Sequence, residues 1–293
     1  MNDDGVLVVG AGPVGLTSAY WLAQAGIPVV VVEQAQEPPH DMRASTFHPP
    51  TLDLLDEHGV TADLIARGEV APEWQIQVHE TGDRARFDLG VLADDTSHPY
   101  RLQCEQWKLG EILLERLAGI SHAKVLFGHT LKAINDDDEG GVTAVVEKDE
   151  VATHFRPSFL VGADGSHSRV REARGIAFEG HAYPETLILM VTSFPFEDHI
   201  DGLCKVNYFW RENGNYSLLR VPGRWRCGSR LPEDETVEQA LSDASVEARL
   251  QAILPRGTRY SLDARGSFRV HRRVAETFRQ GRVLLAGDVA HLN

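Results

Sequence analysis

Residues 6–33, VLVVGAGPVGLTSAYWLAQAGIPVVVVE, decide the fold. They read as strand, turn, helix, strand. Val6 to Val9 has the unbroken apolarity of a parallel strand covered on both faces, and it runs directly into Gly10, Gly12 and Gly15. This is G-x-G-x-x-G in the context that gives the pattern meaning, between a buried strand and an opening helix. Gly10 permits the tight turn, Gly12 lets a pyrophosphate approach the backbone, and Gly15 lets the helix from Val14 to Ala25 pack close to the strand. The N–H groups at the start of that helix face the phosphates. Gly26 stops the helix, Val29 to Val32 form a second strand, and Glu33 ends it. A carboxylate there accepts hydrogen bonds from a ribose 2′-hydroxyl and favours FAD or NAD over NADP. Glycines also follow apolar runs in ordinary turns; the agreement of both strands, the helix and the terminal acid selects the dinucleotide reading.

Bulk properties narrow the classes. The 293 residues suffice for a substantial core in one large domain or two. A formal net charge of −14 and a pI near 5.3 weigh against a nucleic-acid or anionic-membrane binder, which needs a dominant basic surface. Cys104, Cys204 and Cys227 are widely spaced and odd in number, so reduced thiols in or near the core are expected, with neither a disulfide framework nor a metal site. No apolar run approaches the roughly 20 residues of a membrane span, and no leader pattern precedes the first strand. The cytoplasm is the expected location.

Beyond Glu33, residues 34–40 form a loop containing Pro38 and Pro39, and Leu52, Leu55 and the Gly59 stop predict a helix over 51–58. Arg43 sits between the two, either solvated or in reach of cofactor phosphates. From Trp74 to Leu89 the pattern alternates around a turn at 81–83, which is a hairpin signal. A short strand from Tyr100 to Cys104 carries Gln103 into a helix over 105–117, striped by Trp107, Ile112, Leu113 and Leu117. A strand begins at Val125, and Leu131–Ile134 and Val142–Val146 pair across an acidic turn at 136–139, read as solvated charge.

Two more stretches carry chemistry. In Phe159 to Arg171, FLVGADGSHSRVR, a strand ends at Gly162, Asp164-Gly165 turns, and Ser166 or Ser168 caps a short helix containing Arg171. In Gly281 to His291, GRVLLAGDVAH, a buried strand delivers Gly287 and Asp288, a carboxylate able to accept from a cofactor hydroxyl. Segments 187–192, 206–210, 216–221 and 226–231 predict a mainly antiparallel sheet, with Asn213-Gly214 as a hairpin turn. Tyr216, Leu218 and Arg220 share one face of a strand there, toward either a pocket or solvent. An amphipathic helix over 237–254 is expected to pack on this sheet.

The three motifs in this order resemble the class A FAD-dependent aromatic monooxygenases, the p-hydroxybenzoate hydroxylase-like family. Gly10, Gly12, Pro13 and Gly15 match its first motif, and Glu33 its ribose-binding acid. Its cofactor-contacting arginine falls on Arg43 in RASTFHPPTLDLL, and its glutamine before the long helix on Gln103. Asp164, Gly165 and Arg171 match the DG motif, which serves FAD and NAD(P)H; Gly287 and Asp288 match the GD motif, whose aspartate binds the flavin ribitol. In the family the GD motif leads into a glycine-rich loop and further helices, whereas this chain stops at Asn293, so the expectation is a cofactor domain without its C-terminal part.

The resemblance implies an α/β fold, a Rossmann-like FAD/NAD(P)-binding domain (1–72, 99–180 and 264–293) with a β-rich substrate domain (73–98 and 181–263). In the family the substrate-domain sheet covers the flavin's reactive face, which makes Tyr216, Leu218 and Arg220 candidate substrate residues. The implied reaction is hydroxylation of a phenolic substrate with NAD(P)H as transient co-substrate and O₂, through a flavin C4a-hydroperoxide. The cofactor carries that chemistry, so no catalytic acid or base is named. The alternatives are a prenyl-lipid reductase or halogenase of the same fold, or a non-catalytic FAD-binding fragment. The halogenase signature W-x-W-x-I-P is absent around all five tryptophans, Trp21, Trp74, Trp107, Trp210 and Trp225.

Overall fold

A computed structural model describes residues 5–38, 40, 44–136, 140–212 and 214–293. The chain divides into two compact units, one of residues 1–41, 106–182 and 271–293, the other of 42–105 and 183–270.

The first unit is built on a parallel sheet. Its labelled elements are β1 (Val6–Val9), α1 (Pro13–Gln24), β2 (Val29–Glu33), α2 (Trp107–Ala118), β3 (Ala123–Phe127), β4 (Phe159–Gly162), α3 (Arg169–Ala173) and β5 (Val283–Leu285). The strands lie in the order β5-β4-β1-β2-β3, all parallel, with Arg279–Gln280 antiparallel on the outer edge of β5. All four residues of β1 and the four valines of β2 are buried, as strands with both faces covered require. Leu7, Val9, Val30 and Val32 join one core cluster with Leu131, Ile134, Val142, Ala144 and Val146 of an antiparallel sheet (Thr130–Asp136, Val142–Lys148, Val151–Phe155). The acidic turn at 137–139 lies outside the described residues; Val151–Phe155 is a strand that the sequence reading did not identify. Helix α1 buries Leu16, Ala19, Tyr20 and Ala23 at helical spacing and packs against α2, which buries Leu109, Ile112, Leu113 and Leu117.

The second unit is a sheet with helices on one face. Strands Arg224–Arg230, Tyr216–Val221 and Val206–Trp210 are antiparallel neighbours, but Val206–Trp210 pairs in parallel with Glu73–Val78, half of the expected hairpin with Arg84–Asp88. Long-range pairing of this kind leaves no local sequence signal. Ile188, Met190, Phe209, Tyr216, Leu218, Trp225 and Cys227 from the sheet meet Val246, Leu250 and Ile253 of helix Asp243–Ile253 in one core. The single helix expected over 237–254 is two, Val237–Ala240 and Asp243–Ile253. Ser242 breaks it, because its hydroxyl accepts from the backbone N–H of Ser245 and starts a new helix. Asn213, in the expected hairpin turn, lies outside the described residues. The three cysteines are buried, as expected, and burial pushes the Cys204 thiol up to about 11.

Residues 42–72 and 99–105, assigned from sequence to the cofactor domain, fall in the second unit. Their strands pair among themselves: Thr46–Phe47 and Glu69–Ala71 flank Arg101–Gln103. Their attachment to that unit includes the Ser45 hydroxyl, which accepts from buried Arg226. Among the described residues no helix is long and apolar enough to cross a membrane.

Leu218 is fully buried at the centre of the second core. Leu218→Ala is expected to lower unfolding free energy by about 2–5 kcal/mol, the range for a buried leucine truncated to a cavity. Equilibrium denaturation in urea measures it.

Candidate cofactor site

The turn from β1 into α1 is assembled by contacts that only glycine tolerates at two of its three motif positions. Gly10 has φ +106°, and a Cβ on it would stand 2.3 Å from the carbonyl oxygen of Ala163. A Cβ on Gly15 would stand 2.0 Å from the carbonyl oxygen of Gly10. Gly12 differs: a Cβ there would meet nothing within 4 Å. Gly12 is the N-cap of α1, Pro13 takes the first helical turn, where its missing N–H costs nothing, and no side chain caps the helix start. Two glycines therefore close the turn, and the third keeps open the space in front of the helix.

Glu33 is tied to the same turn. Its Oε2 accepts from the backbone N–H of Ala11 and its Oε1 from that of Ala35, each at 2.8 Å. Each oxygen keeps a lone pair, so the carboxylate is held in place and still able to accept from a ligand hydroxyl.

The DG segment turns its polar groups inward. Asp164 Oδ1 accepts from the Ser168 hydroxyl at 2.6 Å, and Oδ2 accepts from the backbone N–H groups of Arg169 (2.7 Å) and Val170 (3.2 Å). Ser168, not Ser166, caps α3, accepting from the N–H of Arg171. Burial raises the Asp164 carboxyl above the ordinary range, with those hydrogen bonds opposing it. Gly165 has φ +83°, which allows the turn. Arg171 is 6% exposed and donates to the carbonyls of Ser166 and Val289. In the GD turn Gly287 has φ +66°, and a Cβ on it would press to 2.8 Å from Val14 at the start of α1. Asp288 beside it is exposed, and no hydrogen bond or ion pair involves it among the described residues.

The remaining candidates belong to the second unit or lie outside the described residues, as Arg43 does. Gln103 is fully buried, exchanging hydrogen bonds with the Thr46 hydroxyl at 3.1 and 3.2 Å. Tyr216 and Leu218 pack in the core rather than lining an open pocket; Tyr216 stacks on Phe209 and its hydroxyl lies 2.7 Å from His79 Nδ1. Arg220 pairs with Glu69 and Glu197 beside Trp225, so its charge is already answered. The strand does alternate as expected, but the shared face is the one the helices cover. The other face carries Ser217 and Leu219, with Arg226 opposite Leu219 in the register.

The family model described as FAD binding domain matches residues 3–293. Para-nitrophenol 4-monooxygenase of Pseudomonas sp. (strain WBC-3) is 33% identical over 300 residues, covering 98% of this chain and 72% of that protein. The chain belongs to the FAD-dependent aromatic monooxygenases. Pentachlorophenol 4-monooxygenase of Sphingobium chlorophenolicum is 28% identical, and the chain spans 54% of its length. Among solved structures, p-nitrophenol 4-monooxygenase of Pseudomonas putida DLL-E4 superposes with a TM-score of 0.91 at 30% identity, covering 99% of this chain and 73% of that one. Aklavinone-11 hydroxylase in complex with FAD and aklavinone gives 0.86 at 26% identity, covering 100% and 58%.

The residues of this monooxygenase fit FAD. The open space at Gly12 faces an uncapped helix start, the donor set suited to a pyrophosphate, and Glu33 and Asp288 are acceptors suited to sugar and ribitol hydroxyls. Sequence reasoning missed the backbone N–H groups of Ala11 and Ala35 that fix Glu33, and the Val289 carbonyl that accepts from Arg171, because a main-chain partner has no residue signature. It also missed Phe178, whose ring lies under the Arg171 guanidinium at 3.8 Å.

Asp288→Ala in this monooxygenase is expected to weaken FAD binding by about 1.5–3 kcal/mol, the range for a hydrogen bond to a charged group. Quenching of flavin fluorescence on titration reads the change; unaltered affinity with an intact fold removes the role.

Proposed function

We propose that the protein hydroxylates a phenolic substrate, taking electrons from NAD(P)H and one oxygen atom from O₂ and returning the other as water. The observation that carries this reading is the placement in one unit of the open Gly12 cradle, the anchored Glu33 carboxylate and the exposed Asp288. The relatives named for phenols support the substrate class. When bound, FAD supplies hydride acceptance and oxygen activation, so the chain's own residues bind and orient rather than react. The N–H groups at the start of α1 hold the pyrophosphate, Glu33 accepts from the adenosine ribose, and Asp288 accepts from the ribitol. On the second unit, we assign substrate contact to the sheet face that carries half-buried Ser217 and Leu219, since the helices cover the other. NAD(P)H is an intracellular coenzyme, which favours the cytoplasm.

The full protein is expected to purify with noncovalent FAD and to oxidise NAD(P)H faster when a suitable phenol is added. Stimulated oxidation across a panel of phenols, with oxygen uptake and product analysis, tests this. A halogenated product, or reduction of an alkene without oxygen uptake, assigns the protein to a different flavin chemistry.

A further inference from the structure

Arg171 belongs by sequence to the cofactor-binding set, yet its guanidinium faces the interior. One side of it lies on the Phe178 ring, Nη2 donates to the carbonyl of Ser166 at 2.8 Å, and Nη1 donates to the carbonyl of Val289 at 3.1 Å. These two carbonyls sit on different loops. Ser166 follows the Asp164-Gly165 turn at the end of β4; Val289 closes the Gly287–Val289 turn beyond β5. The strands are parallel neighbours, Gly162 beside Leu285, so both loops leave the sheet at the same edge.

The GD turn has two anchors on the DG segment. The backbone N–H of Ala286 donates to the carbonyl of Gly162 at 2.9 Å, and Arg171 takes the carbonyl of Val289. Asp288 stands between them. Its own side chain is exposed, so the anchored backbone on either side sets where its carboxylate points. A planar guanidinium answers two carbonyls in fixed directions, whereas an ammonium is a single compact charge on a flexible stem.

Building on the FAD reading above, we infer that Arg171 is a positioning residue: it spans the DG and GD turns and holds Asp288 at its ligand without touching the cofactor itself. The Asp164–Ser168–Arg171 hydrogen bonds serve the same end, since Asp164 and Ser168 fix the first turn of α3, from which Arg171 extends. The DG segment then acts on the cofactor through the backbone that it shapes.

A double-mutant cycle tests the inference. Arg171→Lys, Asp288→Ala and the double variant are prepared as flavin-free full-length protein and titrated with FAD, and the melting temperature of each is recorded without FAD. Residues acting through one contact are non-additive. Arg171→Lys is expected to weaken FAD binding by about tenfold alone but by less than about threefold in the Asp288→Ala background, while lowering the flavin-free melting temperature equally in both. A merely structural role moves melting and not this difference. Equal weakening in both backgrounds overturns the inference, as does an Arg171→Lys protein that binds FAD like the wild type, or an Asp288→Ala protein that does so while Arg171→Lys does not. Should Arg171→Lys fail to fold, Phe178→Leu removes the ring beneath the guanidinium and is held to the same criterion. Wild-type protein that takes up no FAD overturns the flavin reading instead, a result distinct from all of these.

Discussion

The first unit depends on one close approach, that of α1 to the turn from which it starts. The space between Gly15 and the carbonyl of Gly10 admits no Cβ, and neither does that between Gly10 and Ala163 of the neighbouring strand's loop. Because these contacts bring the helix start up to the end of β1, its N–H groups and the positive end of its dipole lie at the sheet edge. The same edge receives the loops after β2, β4 and β5, since the four strands are parallel. A ligand with phosphates and two sugar-like ends would meet its partners there, because the topology brings those loops together.

Three acids reach this edge, and their surroundings give them different work. Glu33 is anchored by two backbone N–H groups and keeps acceptor capacity. Asp164 spends its oxygens on Ser168, Arg169 and Val170, and burial raises its pKa. Asp288 stays exposed. Residue type alone makes the three alike; the number of internal donors separates them. An acid already bonded to three donors shapes a turn, whereas an acid with open lone pairs has the capacity to take a ligand.

Legibility in the sequence followed the range of the interactions. The β1-α1-β2 unit was readable nearly to the residue because its signals are local: the valine runs, the glycine spacing and the terminal acid. A serine cap on the short helix was readable for the same reason, as Ser166 or Ser168, and the structure uses Ser168. Where the partner is distant in sequence, the reading failed. Nothing near Glu73 signals a parallel neighbour at Val206–Trp210, and alternation placed Tyr216 and Leu218 on one face without saying that the helix Asp243–Ile253 covers it. The unit boundary moved for a related reason, since residues 42–72 and 99–105 are claimed by strand pairing and by Arg226. Arg171 was recognised as important, but its two carbonyl partners were invisible.

In the proposed FAD complex, the βαβ unit around Gly10, Gly12, Gly15 and Glu33 holds the adenosine diphosphate part of the cofactor. Calorimetric titration of flavin-free protein with FAD and with FMN, which lacks the adenylate and keeps a single phosphate, is the direct measurement. FAD is expected to bind at least about a hundredfold more tightly than FMN, roughly 2.7 kcal/mol, with ADP competing against FAD. FMN binding as tightly as FAD, with no competition by ADP, would contradict it.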